Sequence, residues 1–239
     1  MNYDLTNRYF KRVDEHINWK AAIIMFVIGF LLFVLLISRV TVIGILGLLL
    51  AIGGALIVIL KKVKISKEKA EIPSDAEFDR EVNKELVGLK EKALIALGLD
   101  EDEVGEIEPI SFDNFVYPSS KETGIMLKLG EDGKLRSSKY NYCIIFFSAN
   151  EVHCFTYKFG TAKNEKSEQT DVYFYRDVVS VSTKSEGVTY DKKQYDYQTF
   201  VLTTAGGTQL TVSLKDPGNA QRSINAMRSL LKAKKQQQA

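Results

Sequence analysis

The chain has 239 residues, 45% of them apolar, and its 32 Lys and Arg against 30 Asp and Glu leave a formal net charge of +2. So even a balance excludes a protein built around a basic nucleic-acid face, and two cysteines exclude a disulfide scaffold. The length accommodates one domain with a full hydrophobic core beside a separate N-terminal segment.

Residues 1–20 form a polar juxtamembrane segment with Arg8, Lys11, Arg12 and Lys20. Two apolar runs follow, Ala21–Ile37 and Val40–Leu60, interrupted only at Ser38-Arg39. At about 1.5 Å per residue each reaches the order of a 30 Å hydrocarbon core, the first only marginally. Backbone pairing in lipid makes two such runs a helical hairpin over 21–60, with a buried hairpin in a soluble core as the alternative. The expectation is a multi-pass protein of the cell membrane. Lys61, Lys62, Lys64, Lys67 and Lys69 follow the second run, and only Arg39 lies in the turn, which places both termini in the cytoplasm. Trp19, Lys20, Lys61, Lys62 and Lys64 are the candidate membrane-interface residues.

Small residues at Gly44, Gly47, Ala51 and Gly54 recur every three to four positions, a face on which helix backbones approach closely. This candidate packing site takes either the first run, around Gly29, or a neighbouring chain, the latter giving at most a weak homo-oligomer. Neither run contains Asp, Glu, Lys or His, so the groups of an ion or proton path are missing.

Residues 61–109 combine a basic stretch, an amphipathic helix and an acidic linker. Ser74 and Glu77 have capping-box spacing. Phe78, Val82, Leu86, Leu89, Ala93 and Leu97 make one apolar stripe, and Gly98 closes the predicted helix. Asp100, Asp102 and Gly105 suggest a calcium loop, but Val104 and Ser111 stand where oxygen ligands are required, so the segment reads as a linker. Residues 75–108 hold 12 acids and 4 bases, whereas residues 214–239 hold 6 bases and 1 acid. The two segments therefore neutralise each other or face different partners.

From Ile110 the period becomes two. Strands are predicted at Ser111–Tyr117, Gly124–Leu129, Tyr140–Phe147, Glu151–Phe159, Asp171–Thr183, Tyr195–Thr204 and Gln209–Lys215. Pairing about Ala149-Asn150 puts Tyr142, Ile144 and Phe146 on one face with Phe155, Tyr157 and Phe159. Pairing about Gly206-Gly207 joins Phe200 and Leu202 to Leu210, Val212 and Leu214. A bent sheet that partly closes on itself covers both faces. Asp216-Pro217 opens a final helix with Ile224, Met227, Leu230 and Leu231 as its stripe. Its basic residues Arg228, Lys232, Lys234 and Lys235 are candidate contacts for a lipid or a partner, and residues 236–239 form a tail.

About seven antiparallel strands followed by one amphipathic helix, with the run Val172-Tyr-Phe-Tyr-Arg-Asp-Val-Val-Ser-Val181, resembles the bacterial PH-like and GRAM-like domains over residues 110–235. The resemblance implies an α+β protein whose partly closed antiparallel β-barrel is capped by the C-terminal helix. It also implies binding of lipids, peptides or proteins rather than catalysis. The basic first hairpin of phosphoinositide binders is represented only by Lys128, Lys134, Arg136 and Lys139, mixed with Glu131 and Asp132.

No Walker loop, nucleophile elbow or zinc-binding histidine pair is present, so no catalytic, cofactor-binding or metal-binding residues are assigned. His16 and His153 lack triad partners in sequence, and Cys143 and Cys154 read as reduced, buried thiols. The expected function is a non-enzymatic, membrane-anchored adaptor whose domain binds a protein partner, without cofactor or nucleic acid. The alternatives are an anionic-lipid sensor at the cytoplasmic membrane face and an enzyme of unrecognised type.

Overall fold

The computed structural model describes residues 1–13, 19–36, 41–104, 107–119 and 123–237. The chain divides into two units, one of residues 1–10 with 74–239 and one of residues 11–73.

The smaller unit consists of α2 (Trp19–Leu36) and α3 (Thr41–Ala70), packed along each other. Ala51 and Gly54 are buried between them, and a Cβ on Gly54 would lie 3.4 Å from the Ala22 carbonyl oxygen and 3.5 Å from the Met25 Cβ. Among the described residues no helix is long and apolar enough to cross a membrane. The helix α2 carries Trp19 and Lys20 in its first turn, before its apolar stretch begins at Ala21. The helix α3 is longer, but five lysines from Lys61 to Lys69 fill its last third. This corrects the expectation of a transmembrane hairpin, of a membrane-protein fold class and of a multi-pass cell-membrane location with cytoplasmic termini. The Ser38-Arg39 turn, on which the orientation rested, lies outside the described residues, as does His16. Large apolar side chains such as Ile24, Phe30, Leu49, Ile57 and Leu60 are about half exposed on the two helices.

The larger unit is α+β. A four-stranded antiparallel sheet has the order β1 (Ile110–Phe115), β4 (Lys139–Phe147), β5 (Glu151–Gly160), β6 (Lys166–Phe174). A small hairpin of β2 (Leu127–Leu129) and β3 (Leu135–Ser137) fills the β1–β4 connection. A three-stranded antiparallel sheet follows, in the order β7 (Val178–Tyr190), β8 (Lys193–Thr204), β9 (Gln209–Leu214), and then α7 (Pro217–Gln237). The two sheets meet where Asn114 on β1 donates its side-chain amide to the Leu214 carbonyl on β9, at 2.9 Å.

Alternation across β4 and β5 divides the core in two. Cys143, Ile145, Phe147, Val152 and Cys154 point toward the second sheet and α7, where they meet Phe200, Leu202, Val212, Ile224 and Met227. The opposite face, Tyr140, Ile144, Phe146, Phe155, Tyr157 and Phe159, is covered by α1 (Tyr3–Tyr9), α4 (Asp75–Leu86) and α5 (Leu89–Leu97). Both predicted hairpins have the expected register, with Ile144 opposite Phe155 and Leu202 opposite Leu210. What differs is the cover. The face bearing Ile144 and Phe155 is closed by helices, and the β4–β5 face turned toward the second sheet is the one carrying both cysteines.

The predicted single helix from Ser74 is broken at Val87-Gly88, where Gly88 has a φ of +75°. The break lets Phe78 and Val82 on α4 and Ala93 on α5 all reach the sheet. The capping box forms as its spacing predicts, with Ser74 and Glu77 satisfying each other's backbone amides. The acidic linker contains a short helical turn, α6 (Glu101–Val104), and Gly105 lies outside the described residues.

Candidate functional site

The predicted strand Asp171–Thr183 is two strands, β6 and β7, separated by a 3-10 turn at Tyr175–Asp177. The break transfers the chain from one sheet to the other and leaves β7 as an outer strand of its sheet. The register shifts between Val178 and Ser180, so Val179 is unpaired and its side chain is 60% exposed. Two residues on, the Val181 carbonyl points away from β8 and accepts from Arg228 on α7. In an extended strand the N–H of Val181 and the polar groups of Thr183 point the same way, so this side of β7 is a template for another strand.

α7 runs beside that edge. Asp216 starts it by accepting from the backbone amides of Gly218 and Asn219, and Ile224, Met227 and Leu231 turn into the core. The next positions round the helix then overlook β7. Between the two elements lies a groove of about 240 Å³, lined by Val178–Val181 on one wall and by Arg228, Leu231, Lys232 and Lys235 on the other. Its floor is apolar, and its lining holds three cations and no acid. Of the four basic residues singled out in sequence, three bind backbone carbonyls of this same unit. Arg228 donates from Nε to Val181 at 2.8 Å, Lys235 from Nζ to Val178 at 2.6 Å, and Lys234 from Nζ to Ala149 at 3.3 Å. Lys232 is exposed at the groove's rim. The acidic helices pair elsewhere, Asp79 with Arg136 and Glu85 with Lys166, so the two oppositely charged segments face different surroundings.

A second cleft, of about 390 Å³, lies among α4, the β2–β3 hairpin and β8. Its base is Arg136, whose side chain is 3% exposed. The guanidinium makes paired hydrogen bonds to Asp79 (2.8 and 2.7 Å) and to Asp132 (2.8 and 3.0 Å). Hydrogen bonding from Arg136 is the main cause that holds the Asp132 carboxyl down at about 2, and the bonds to Asp79 push Arg136 above its ordinary value. With its donors already committed to carboxylates, this arginine fastens α4 to the β-hairpin and has little left for a phosphate. Lys128 is likewise occupied. It donates to the Tyr9 carbonyl at 2.9 Å and stands 3.9 Å over the Tyr9 ring. Two of the four residues of the phosphoinositide-like pattern, Lys128 and Arg136, are thus internal fasteners, whereas Lys134 stays exposed.

His153 is buried, with Nε2 3.2 Å from the Ser148 Oγ and 3.6 Å from Glu151 Oε2. Both neighbours meet the same ring nitrogen, whereas a catalytic relay needs the acid on the other one. Nδ1 is buried without a partner among the described residues, and burial lowers the imidazole's pKa. Cys143 and Cys154 are free and buried, with burial pushing the Cys143 thiol up to about 12. Cys143 lies opposite Thr156 and Cys154 opposite Ile145, so the two are diagonal neighbours, not a facing pair. No group of three or more His, Cys, Asp or Glu side chains among the described residues is placed to hold a metal ion.

The remaining sequence candidates fall in the smaller unit. Lys20 is exposed near the start of α2, while the side chain of Trp19 lies outside the description. Lys61 is half-buried, and Lys62 and Lys64 are exposed along α3, with Lys64 3.9 Å from Glu68. Gly44 and Gly47 belong to α3, but their packing lies outside the description; Ala51 and Gly54 receive α2. Sequence reasoning missed the outer edge at Val179–Val181. The available signal was Tyr175-Arg176-Asp177, a polar interruption within an otherwise strand-like run.

No protein-family model matches the chain, and no curated protein matches it.

Proposed function

We propose that the larger unit is a non-catalytic binding module of PH-like architecture that takes an acidic, extended segment of a partner protein along the outer edge of β7. The observation that carries this reading is the groove itself, where an outer strand runs beside three cations. Strand addition supplies backbone hydrogen bonds as affinity and leaves alternate side chains to be read by pockets. Arg228, Lys232 and Lys235 favour carboxylates, and exposed Val179 offers an apolar contact between them. The PH-like assignment is supported by four strands followed by three and a terminal helix, the order that the resemblance implies.

Random nonapeptides displayed on phage and panned against the whole protein test the reading. Acidic sequences with alternating apolar residues should be enriched, and Lys232→Glu should weaken them by about tenfold, the scale of a charge reversal at a binding rim. Failure to enrich any sequence would sink the proposal, as would enriched peptides indifferent to both Lys232→Glu and Val179→Asp. Binding to anionic vesicles that Lys232→Glu abolishes, with no peptide selected, would assign the groove to lipid headgroups instead.

A further inference from the structure

We infer that Arg228 is a displaceable cap on the β7 edge and that its displacement is what demands an acidic ligand, an inference that rests on the strand-addition reading. The Val181 carbonyl that an added strand would use is already accepting from the Arg228 guanidinium at 2.8 Å, and the Val178 carbonyl from the Lys235 ammonium at 2.6 Å. Outer strands are commonly blunted by basic side chains because an open edge pairs with whatever strand it meets. Here the blunting groups come from the neighbouring helix, so they can withdraw without disturbing β7.

Binding then becomes an exchange. The incoming backbone N–H takes the Val181 carbonyl, and the released guanidinium, which belongs to an exposed residue, exchanges that carbonyl for water. A neutral ligand gives that cation nothing in return for the carbonyl it has lost. A ligand with a carboxylate facing α7 replaces a carbonyl by an anion, and hydrogen bonds between ionised groups are roughly twice as strong as neutral ones. Arg228 also touches Asn225, whose side-chain oxygen lies 3.3 Å from Nη1, so the guanidinium has a neighbouring acceptor toward which it can swing. A sharp preference for acid is thus a property of the cap. Lys232, which holds no carbonyl among the described residues, adds only general attraction.

The test compares one display-selected acidic nonapeptide with its Glu→Gln counterpart on the whole protein and on Arg228→Ala and Arg228→Lys. The parent should prefer the acidic peptide by about tenfold, the scale of one charge-assisted hydrogen bond. Arg228→Ala should bind the neutral peptide better than the parent does, shrinking the preference to about twofold, and Arg228→Lys should restore much of it. If Arg228→Ala weakens both peptides equally, the cap is only an attractive charge, and the inference falls while strand addition stands. A second readout needs no peptide. Arg228→Ala/Lys235→Ala uncaps the edge and should self-associate with rising concentration more than the parent, with slowed exchange at the Val181 and Thr183 amides. An unchanged size distribution would overturn the capping role even if panning had selected nothing.

Discussion

Arg136 shows how much of the larger unit depends on a single buried cation. It draws Asp79 from α4 and Asp132 from the β2–β3 hairpin to one point, with Asp75 also 3.9 Å away. Arg136→Met would leave those carboxylates facing one another. Because Asp79 and Asp132 keep contact with water, the expected loss is about 2 kcal/mol, less than a fully buried pair would show. Urea unfolding measures it, and NMR titration should show the Asp132 carboxyl returning from about 2 toward the ordinary carboxylate range. The sign is that of a depressed acid: its contribution is present above an ordinary aspartate pKa and is lost as pH falls toward 2. His153 acts in the opposite pH range. Its folded pKa is lowered by burial, so the unfolded chain binds the proton more readily, and stability should fall as pH drops below about 6.5. His153→Gln should flatten that slope; an unchanged slope would mean that the ring titrates freely.

At the scale of elements, the 13-residue β7 and 12-residue β8 form the longest hairpin. They are joined by Asp191-Lys192, where both residues have positive φ, +47° and +63°. A turn of this kind favours glycine at the second position, and lysine there bears a steric cost. Lys192→Gly should stabilise the protein by about 1 kcal/mol, read as a rise of a few degrees in Tm. Lack of any gain would indicate that Lys192 makes a compensating contact. This turn was not legible in the sequence because Asp-Lys is not a turn dipeptide, whereas Gly206-Gly207 and Ala149-Asn150 were read correctly. Register followed from alternation, since Ile144 opposite Phe155 and Leu202 opposite Leu210 are what period-two burial demands. Alternation cannot say what covers each face. β4 and β5 are apolar on both sides, so the side closed by helices could not be told from the side closed by the second sheet. The candidate groove was half legible: its cations stood out, but the outer strand beside them was hidden inside one long apolar run.

For the whole molecule, the larger unit is discontinuous, made of residues 1–10 and 74–239 with residues 11–73 inserted between. The two pieces are fastened at the point of insertion. The Tyr9 hydroxyl donates to Asp75 at 2.6 Å, its ring stacks on Phe78 at 4.2 Å, and the Asn2 amide donates to Glu81 at 2.8 Å. Chain ends this close tolerate exchange of what lies between them. Replacing residues 11–73 by a short Gly-Ser linker should therefore leave the larger unit folded, with its near-ultraviolet circular dichroism retained. Deleting residues 1–73 should cost more, because Phe78 loses the Tyr9 and Phe10 rings that cover it. Equal behaviour of the two forms would show that α1 is dispensable.

The split has a consequence for synthesis on the ribosome. Tyr9 emerges long before Tyr140 and Phe159, the sheet residues of the core it joins; at roughly 5–20 residues per second the wait is on the order of ten seconds. The apolar helices α2 and α3 follow the Tyr9 and Phe10 rings out first, then Phe78, while the sheet side of their native seat is missing for the whole interval. Once α2 and α3 have zipped together, however, the free loop between Tyr9 and Asp75 is much shorter than the 65 residues that separate them in sequence, which lowers the entropic cost of bringing the ends together. The order of translation thus makes early pairing of the inserted helices an aid to completing a core that contains neither of them.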